Sequence, residues 1–241
     1  VQRSQLMMVS AQEIEQASSQ QYQEMLAEAR RKNALDRDPA TVQRVRRIVS
    51  RLTAQTGAFR PDAPAWAWEV HVFSSNELNA WCMAGGKMAI YTGLIERLSL
   101  TDDEIAAVMG HEIAHALREH ARERIAKTQL TSIGAAVLGE LLGDGRYAGA
   151  FRFGGDMLTL KFSRDDETEA DAVGIELAAR AGYDPSAGIT LWRKMAAASR
   201  GEPMPWFSTH PSSPGRIAEI ERNLPAVMPF YERARNPAVG R

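Results

Sequence analysis

Two histidines four residues apart, with a glutamate directly after the first, offer the clearest chemistry in this sequence. They lie in His111-Glu112-Ile113-Ala114-His115, the pattern HExxH. On a helix, positions four apart are separated by about 40° around the axis, so both imidazoles leave the same face one turn apart. Such a pair can bind a metal ion, and Glu112 can reach a water on that ion as a general base. Unless the pattern arose by chance, it predicts a zinc hydrolase with one Zn²⁺ per chain, bound by His111 and His115.

A catalytic zinc site needs a further protein ligand, because such sites usually combine three protein ligands with one water. The next histidine, His120, lies five positions after His115, about 140° around a continuous helix. We therefore expect His120 to be a surface or packing residue. His71 lies on a predicted strand and is interpreted as structural. The third ligand must come from elsewhere in the chain.

A second predicted helix carries acidic residues with suitable spacing. Glu167 and Asp171 are four positions apart and share one face, so Glu167 could bind the zinc while Asp171 accepts a hydrogen bond from the outer N–H of a liganding histidine. Glu169 lies about 200° from Glu167 and is predicted to be solvated. The alternative is an ordinary charged helix surface. Small residues along the helix argue against that alternative, because they favour close packing on a neighbouring helix. They are Ala170, Gly174 and Ala178.

A histidine and an arginine near the last predicted helix are further candidates. His210 precedes Pro211, which restricts the backbone. His210 could donate a hydrogen bond to the oxyanion of a tetrahedral intermediate or occupy the fourth zinc position, and the alternative is a cap or turn histidine. Arg216 could assist the oxyanion or pair with a carboxylate of the site. We expect the loop with Trp206 and Phe207 to act as a lid.

Local capping signals predict where most helices begin. The combination of Ser or Thr with Glu three positions later forms a capping box, and Asp-Pro or Ser-Pro places a cap before a first-turn proline. The HExxH segment would then lie on a core helix that opens with such a box. The predicted starts are Ser10, Asp38-Pro39, Thr101, Ser163, Asp184-Pro185 and Ser213-Pro214, and the last helix is predicted to stop before Pro225.

Short apolar runs predict a small sheet before the HExxH helix. Residues 66–73, 78–83 and 87–91 have strand-like composition, and the last two flank Gly85-Gly86. We predict an antiparallel sheet with a glycine hairpin and an α+β, mainly α-helical fold. Residues 1–60 are predicted to be helices that pack on a catalytic domain of residues 61–241. The glycine-rich segment from Leu130 to Phe162 gives no firm assignment.

Composition excludes several classes of function. The 241 residues include 29 Lys and Arg against 30 Asp and Glu, so the charge favours neither nucleic acid nor an anionic membrane. Cys82 is the only cysteine, which excludes an internal disulfide and a cysteine-based zinc site. The apolar stretch from Leu130 to Gly143 is too short to span a bilayer. The start at Val1, without a charged-then-apolar leader, is compatible with a removed signal and with a trimmed start.

Four segments together resemble the HtpX and CAAX prenyl protease type of zinc metallopeptidase, peptidase family M48. The resemblance implies a gluzincin-like metallopeptidase domain with Glu167 as third zinc ligand. The short, mixed interval between the two zinc-binding helices resembles the soluble bacterial periplasmic branch with BepA-like and LoiP-like proteins, often lipoproteins associated with outer-membrane quality control. Ala84 replaces the proline usual before the paired glycines. The segments are Asn79–Gly86, Gly110–His115, Ser163–Asp171, and Ser208–Pro211 with Arg216.

The same resemblance places the strand candidate from Asn79 to Met83 beside the zinc cleft. An extended substrate could add to it as a further strand, with Asn79, Ala80 and Trp81 as the substrate-binding residues. Main-chain pairing depends on an extended conformation of the substrate more than on its sequence, so unfolded or misfolded polypeptide is the expected substrate class. The alternative is that the Trp81 and Met83 side chains are ordinary core residues.

The leading hypothesis is a zinc-dependent endopeptidase that cleaves unfolded or misfolded envelope proteins through a zinc-activated water, with Glu112 as general base. We expect a periplasmic location, with possible outer-membrane association through a removed N-terminal lipid anchor. The main alternative is a chaperone-like or quality-control binding protein with a closed, largely non-catalytic zinc site. A third hypothesis is a zinc hydrolase that acts on a non-peptide amide.

Overall fold

The computed structural model of the protein describes residue 5 and residues 7–128, 157–199, 204–211 and 215–236. Over these ranges the chain is mostly helical with one small sheet, as the sequence predicts. Residues 130–156 of the unassigned glycine-rich segment lie outside the described residues. The helices are α1 (Ala11–Arg31), α2 (Pro39–Thr53), α3 (Thr92–Arg97), α4 (Asp102–Leu117), α5 (120–128), α6 (Arg164–Arg180), α7 (Ala187–Ala198), α8 (Pro205–Thr209) and α9 (Arg216–Arg235).

Within the described ranges the sheet contains three strands, β1 (Glu69–Phe73), β2 (Ala80–Met83) and β3 (Lys87–Tyr91), in the order β1-β3-β2. The predicted glycine hairpin is confirmed: β2 and β3 are antiparallel, and Gly85 and Gly86 between them have positive φ values of 76° and 82°. The prediction of a wholly antiparallel sheet is wrong, because β1 pairs parallel with β3. The hairpin folds back so that β3 lies between β1 and β2, which leaves β2 at an edge of the sheet as far as the described residues form it.

Helix α4 is the centre of the fold. It opens with the predicted capping box, in which Thr101 accepts a hydrogen bond from the Glu104 backbone and the Glu104 side chain accepts one from the Thr101 backbone. Every residue from Glu104 to Leu117 is buried. A helix that is enclosed on all sides needs apolar or paired residues all round. The helix packs against α2, α6, α7 and strand β2, so the HExxH segment lies deep in the core.

Two glycines allow α4 and α6 to approach at backbone distance. A Cβ on Gly110 would lie 2.9 Å from the carbonyl oxygen of Gly174, and one on Gly174 would lie 2.8 Å from the backbone nitrogen of His111. Larger residues would push the helices apart. The small residues predicted to favour close packing therefore bring the helix of Glu167 directly against the helix of His111.

Most predicted helix starts agree with the structure because they depend on local chemistry. Ser10, Asp38, Thr101 and Ser163 each accept a backbone N–H from the first turn of their helix. Helix α7 begins at Ala187, slightly later than predicted, because Asp184 first accepts the backbone N–H of Ser186 at 2.9 Å. The predicted start at Ser213-Pro214 lies outside the described residues.

The predicted end of the last helix is wrong. Helix α9 continues through Pro225 and Pro229 to Arg235. A proline inside a helix removes one backbone donor and leaves a carbonyl without its helical partner. Both prolines are exposed, so water can reach these carbonyls. The opposite side of α9 buries Ile220 and Val227 and packs against α6, which keeps the helix continuous.

Two apolar clusters lie on opposite sides of the sheet. The main core joins α2, the sheet, α4, α6, α7 and α9 and includes Ile48 and Leu52 of α2. The smaller cluster lies between α1 and the sheet and includes Tyr22, Leu26 and Trp81. The division at residue 60 stays a prediction. Among the described residues no helix combines the length and apolar character needed to cross a membrane.

Candidate metal centre

Four buried side chains converge at the centre of the molecule: His111 and His115 of α4, Glu167 of α6, and His210 just after α8. Each offers one ligand atom, and these atoms lie within 4.8 Å of one another. The Nε2 atoms of His111 and His115 are 3.1 Å apart, and Oε1 of Glu167 lies 3.3 Å from Nε2 of His115. Nδ1 of His210 is 2.9 Å from the same oxygen. Imidazole and carboxylate donors in this arrangement can bind a metal ion.

Helix α6 also orients the first histidine. Asp171 lies one turn after Glu167 and places Oδ1 3.0 Å from Nδ1 of His111. A carboxylate on the outer nitrogen of a liganding histidine fixes the tautomer and the direction of the ring. The spacing of Glu167 and Asp171 therefore delivers one carboxylate to the centre and another behind His111.

Arg216, the first residue of α9, lies between these two carboxylates. Its NH2 atom donates to Oδ1 of Asp171 at 2.9 Å and lies 2.9 Å from Oε2 of Glu167. The guanidinium also packs over the ring of Trp192, with Cζ 3.5 Å from the ring centroid. A buried guanidinium with carboxylate partners remains charged. Of the two roles considered for Arg216, pairing with a site carboxylate is the contact observed.

The electrostatics of the centre reflect this concentration of charge. Burial alone would raise the pKa of Glu167, but His111, His115 and His210 outweigh it and hold the pKa well below the usual range. Burial would lower the pKa of His111, yet Glu167 and Asp171 raise it to about 9. Because a ligand histidine must be neutral, a metal ion that binds here has to displace this proton.

Glu112 faces the same centre but has few partners. Its side chain is buried, and Oε1 makes no hydrogen bond within the part of the chain that the structure describes. Oε1 lies 3.6 Å from Nε2 of His210 and 4.0 Å from Nε2 of His111. Burial raises the pKa of Glu112, which the backbone of Cys82 and the nearby histidines only partly offset. A buried carboxylate oxygen without a donor is costly and indicates a site that takes a further group.

His120 and Glu169 are both buried beside the centre. His120 is 0% exposed, which agrees with the packing alternative and not with the surface one, and Glu169 is 3% exposed, so the solvated position predicted for Glu169 is wrong. The reason is that α4 ends at Leu117, and Glu119 has a positive φ of 54°, so the angle calculated for a continuous helix does not apply to His120. The chain turns back toward α6, where Glu169 lies. The sequence holds no local signal for this turn.

Aromatic rings enclose two of the four converging side chains. Phe162 stacks on His115 with ring centroids 4.0 Å apart, and Trp206 stacks on His210 at 4.4 Å. The Phe162 backbone N–H donates to the carbonyl of Thr209 at 2.9 Å, which joins the segment before α6 to α8. Trp206 is fully buried, so it forms a wall of the site. The lid role of this segment stays a prediction.

Strand β2 lines a cleft that reaches the centre. The cleft has a volume of about 190 Å³ and is lined by Asn79, Ala80 and Trp81 together with Glu112 and His210. The Trp81 ring packs edge-on against Tyr22 and Phe73 in the smaller apolar cluster, which agrees with the alternative that this side chain is an ordinary core residue. Substrate binding by these residues stays a prediction.

The chain belongs to a known family of metallopeptidases. Residues 39–224 match Peptidase family M48, which covers more than half of the 241 residues and includes all four converging side chains. This confirms the resemblance drawn from the four sequence segments.

Named relatives come from both mitochondria and bacteria. The mitochondrial metalloendopeptidase OMA1 of Schizosaccharomyces pombe is 36% identical over 210 residues, which is 85% of this chain and 59% of the relative. Metalloprotease LoiP of Escherichia coli is 28% identical over 158 residues, 64% of this chain and 62% of LoiP. The β-barrel assembly-enhancing protease of Yersinia pestis is 26% identical over 206 residues, 80% of this chain and 40% of the relative. The chain thus spans less than two thirds of the length of these relatives.

Proposed function

We propose that this protein is a zinc-dependent endopeptidase that cleaves unfolded or misfolded polypeptides. The observation that carries the proposal is the convergence of His111, His115 and Glu167 beside the buried carboxylate of Glu112. Family membership and the names of the relatives support peptide hydrolysis.

Zinc suits this donor set better than other common ions. Two neutral imidazoles and one carboxylate are a frequent catalytic zinc combination, whereas Ca²⁺ and Mg²⁺ prefer oxygen ligands. His111, His115 and Glu167 would hold the ion. When bound, zinc lowers the pKa of a water to about 7 and acts as a Lewis acid toward a carbonyl.

Glu112 is the proposed general base. Its carboxylate takes a proton from the attacking water and returns that proton to the leaving amine. Oε1, which lacks a hydrogen bond among the described residues, is the atom available for this transfer.

His210 has two proposed roles that the geometry permits. Nδ1 lies 3.4 Å from Nε2 of His111, close enough for His210 to act as a fourth ligand, and Nε2 faces Glu112. A fourth ligand would close the site, whereas a hydrogen bond to the oxyanion would assist catalysis. The turnover of His210→Ala on casein distinguishes them: a gain indicates the closed site, a loss indicates the oxyanion role, and an unchanged rate contradicts both.

The edge of β2 that has no partner strand among the described residues is the proposed substrate platform. An extended peptide could pair with this strand next to Glu112, and such pairing depends on main-chain groups. This favours unfolded segments over a particular sequence. Asn79 and the backbone of Ala80 and Trp81 would make the contacts.

The rival function is a chaperone-like or quality-control binding protein with a closed metal site. The four-residue convergence, in which His210 approaches the other three side chains, is the observation that favours it. A digest of reduced casein separates the two functions. The endopeptidase predicts fragments that disappear with a chelator and return with Zn²⁺, whereas metal-independent suppression of aggregation without fragments supports the rival.

The proposed location is a bacterial periplasm, with a lipid anchor on the precursor. The bacterial relatives support it, one of them named for β-barrel assembly, while the OMA1 relatives are named as mitochondrial. Fractionation of the source cells with an antibody to this chain tests the location. Recovery in the cytoplasm would contradict it.

A further inference from the structure

A fourth histidine, His120, lies directly behind the metal centre. Nδ1 of His115, the ring nitrogen that points away from the centre, is 2.9 Å from Nδ1 of His120. The other nitrogen of the His120 ring, Nε2, is 3.2 Å from Oε2 of Glu169. Arg118 places NH2 2.6 Å from the second oxygen of Glu169. His115, His120, Glu169 and Arg118 thus form a continuous polar chain.

The chemistry of the two rings fixes the direction of this chain. Two ring nitrogens at hydrogen-bond distance need one donor and one acceptor. When His115 offers Nε2 to the centre, its proton is on Nδ1, so Nδ1 of His120 must accept. His120 then carries its own proton on Nε2 and donates it to Glu169. Each of the four ring nitrogens is then a donor, an acceptor or the atom offered to the centre.

We infer that His120 is a positioning residue that, with Glu169, orients His115 for metal binding. Asp171 does the same for His111 through a direct contact at 3.0 Å. The two histidines of the HExxH pattern would then both be held from behind by a carboxylate, directly for His111 and through an imidazole for His115. Partners of this kind raise the basicity of a ligand and fix its ring.

The stacking contact of His115 does not by itself set its tautomer. Phe162 stacks on one face of the ring at 4.0 Å, which restricts tilting but does not select a tautomer. The turn at Glu119, with its positive φ, brings His120 back to the Nδ1 side of His115. His120 and Glu169 are both buried, so water does not readily replace their hydrogen bonds.

The test compares two substitutions of the same type. His120→Leu removes both hydrogen bonds, and His71→Leu is the matched control, since His71 also lies between two carboxylates, Asp36 at 2.6 Å and Glu69 at 3.1 Å, but on strand β1. Binding of Zn²⁺ and Co²⁺ is measured by competition with a chromophoric chelator. We expect His120→Leu to weaken the affinity for both ions by about 10–100-fold and His71→Leu to leave it unchanged.

A conservative variant and a spectrum separate positioning from simple packing. His120→Asn keeps an acceptor oxygen near Nδ1 of His115, so it should recover part of the lost affinity. The visible absorption of the Co²⁺ form should differ from wild type in His120→Leu and move back toward it in His120→Asn. Equal affinities for His120→Leu and His71→Leu would overturn the inference.

Nuclear magnetic resonance of the wild-type protein keeps the inference testable if His120→Leu fails to fold. Long-range ¹H–¹⁵N spectra should show His115 protonated on Nδ1 and His120 on Nε2, with and without Zn²⁺. A proton on Nδ1 of His120 would overturn the inference. The inference rests on the proposed metal centre. A wild-type protein that binds Zn²⁺ without cleaving casein would contradict the endopeptidase function, and the tautomers of His115 and His120 would still test the inference.

Discussion

Two buried glutamates on helix α4, about two turns apart, have opposite surroundings. Glu104 accepts hydrogen bonds from the Thr101 backbone at 2.9 Å, Thr190 Oγ1 at 2.8 Å and Lys194 Nζ at 2.7 Å. Glu112 has one oxygen with no hydrogen bond among the described residues. Burial would raise the pKa of both, but the partners of Glu104 lower its pKa while that of Glu112 stays raised.

Helix α4 thus holds two buried carboxylates under different conditions. At its first turn the buried charge has protein partners, so it stabilises the end of the helix and its contact with α7. At the HExxH segment the buried charge lacks a full set of partners, which costs stability. The fold tolerates that cost where the carboxylate can act on a proton.

Glu112→Gln should give the largest change. The amide cannot act as a base, so casein turnover should fall by about 10²–10⁴-fold while Zn²⁺ remains stoichiometric. Because the variant removes a poorly partnered buried charge, the metal-free protein should be at least as resistant to urea as wild type. Turnover, metal content by mass spectrometry and urea unfolding check this. Retained cleavage by a pure preparation would exclude Glu112 as the base.

Gly174→Ala should disturb the α4–α6 contact beside the HExxH segment, at the Glu112 end of the helix. A Cβ there would lie 2.8 Å from the backbone nitrogen of His111, so α6 must shift away from α4. We expect a loss of about 1–3 kcal/mol in the free energy of unfolding and weaker metal binding. Gly188→Ala on α7 is the control, since its Cβ would meet no atom closer than 3.4 Å. Equal unfolding curves for the two variants would argue against the backbone contact.

Glu104→Gln should affect stability alone. Loss of the charge weakens the hydrogen bonds from Lys194 and Thr101 and should lower the free energy of unfolding by about 1 kcal/mol. Glu176→Gln, which removes a partly exposed pair with Arg180 on α6, is the control and should change it by less than about 0.5 kcal/mol. Cleavage per bound metal should not change in either variant. A loss of cleavage in Glu104→Gln at full metal content would contradict the expectation that Glu104 affects stability and not cleavage.

The pH dependence should have opposite signs for the two glutamates in the metal-free protein. The pKa of Glu104 is lowered on folding, so its stabilisation is present above the unfolded value near 4.5 and is lost as the pH falls through its folded pKa. The pKa of Glu112 is raised, so its destabilisation is present above its folded pKa and disappears as the pH falls through that value. Urea titrations at several pH values should show that the difference in the free energy of unfolding between wild type and Glu112→Gln becomes smaller toward pH 4.5. A difference that grows toward pH 4.5 would contradict a raised pKa for Glu112.

Sequence predicted the features that depend on neighbours in the chain. The capping boxes at Ser10 and Thr101 and the glycine hairpin before β3 involve residues a few positions apart, so local chemistry fixes them. The HExxH spacing is equally local. The helical spacing of Glu167 and Asp171 makes Glu167 the candidate third ligand, the resemblance implies the same role, and the close α4–α6 contact brings Glu167 to His111.

The errors have a common physical cause in long-range packing. The burial of Glu169 depends on its contact with His120, which follows a turn at Glu119 that no local signal marks. The parallel pairing of β1 depends on which strand lies between the others, and the continuity of α9 through Pro225 depends on its packing against α6. Each outcome is decided by partners distant in the chain.

The four converging side chains come from three separate stretches of the chain, so an ion bound among them would tie α4, α6 and the segment after α8 together. Any ion that binds only the folded state shifts the unfolding equilibrium, by about 1.4 kcal/mol for each tenfold rise in free ion once the site is saturated. The melting temperature would then rise with the concentration of free ion. In a cell with little of the ion, a larger fraction of the protein would be unfolded and open to degradation by other proteases.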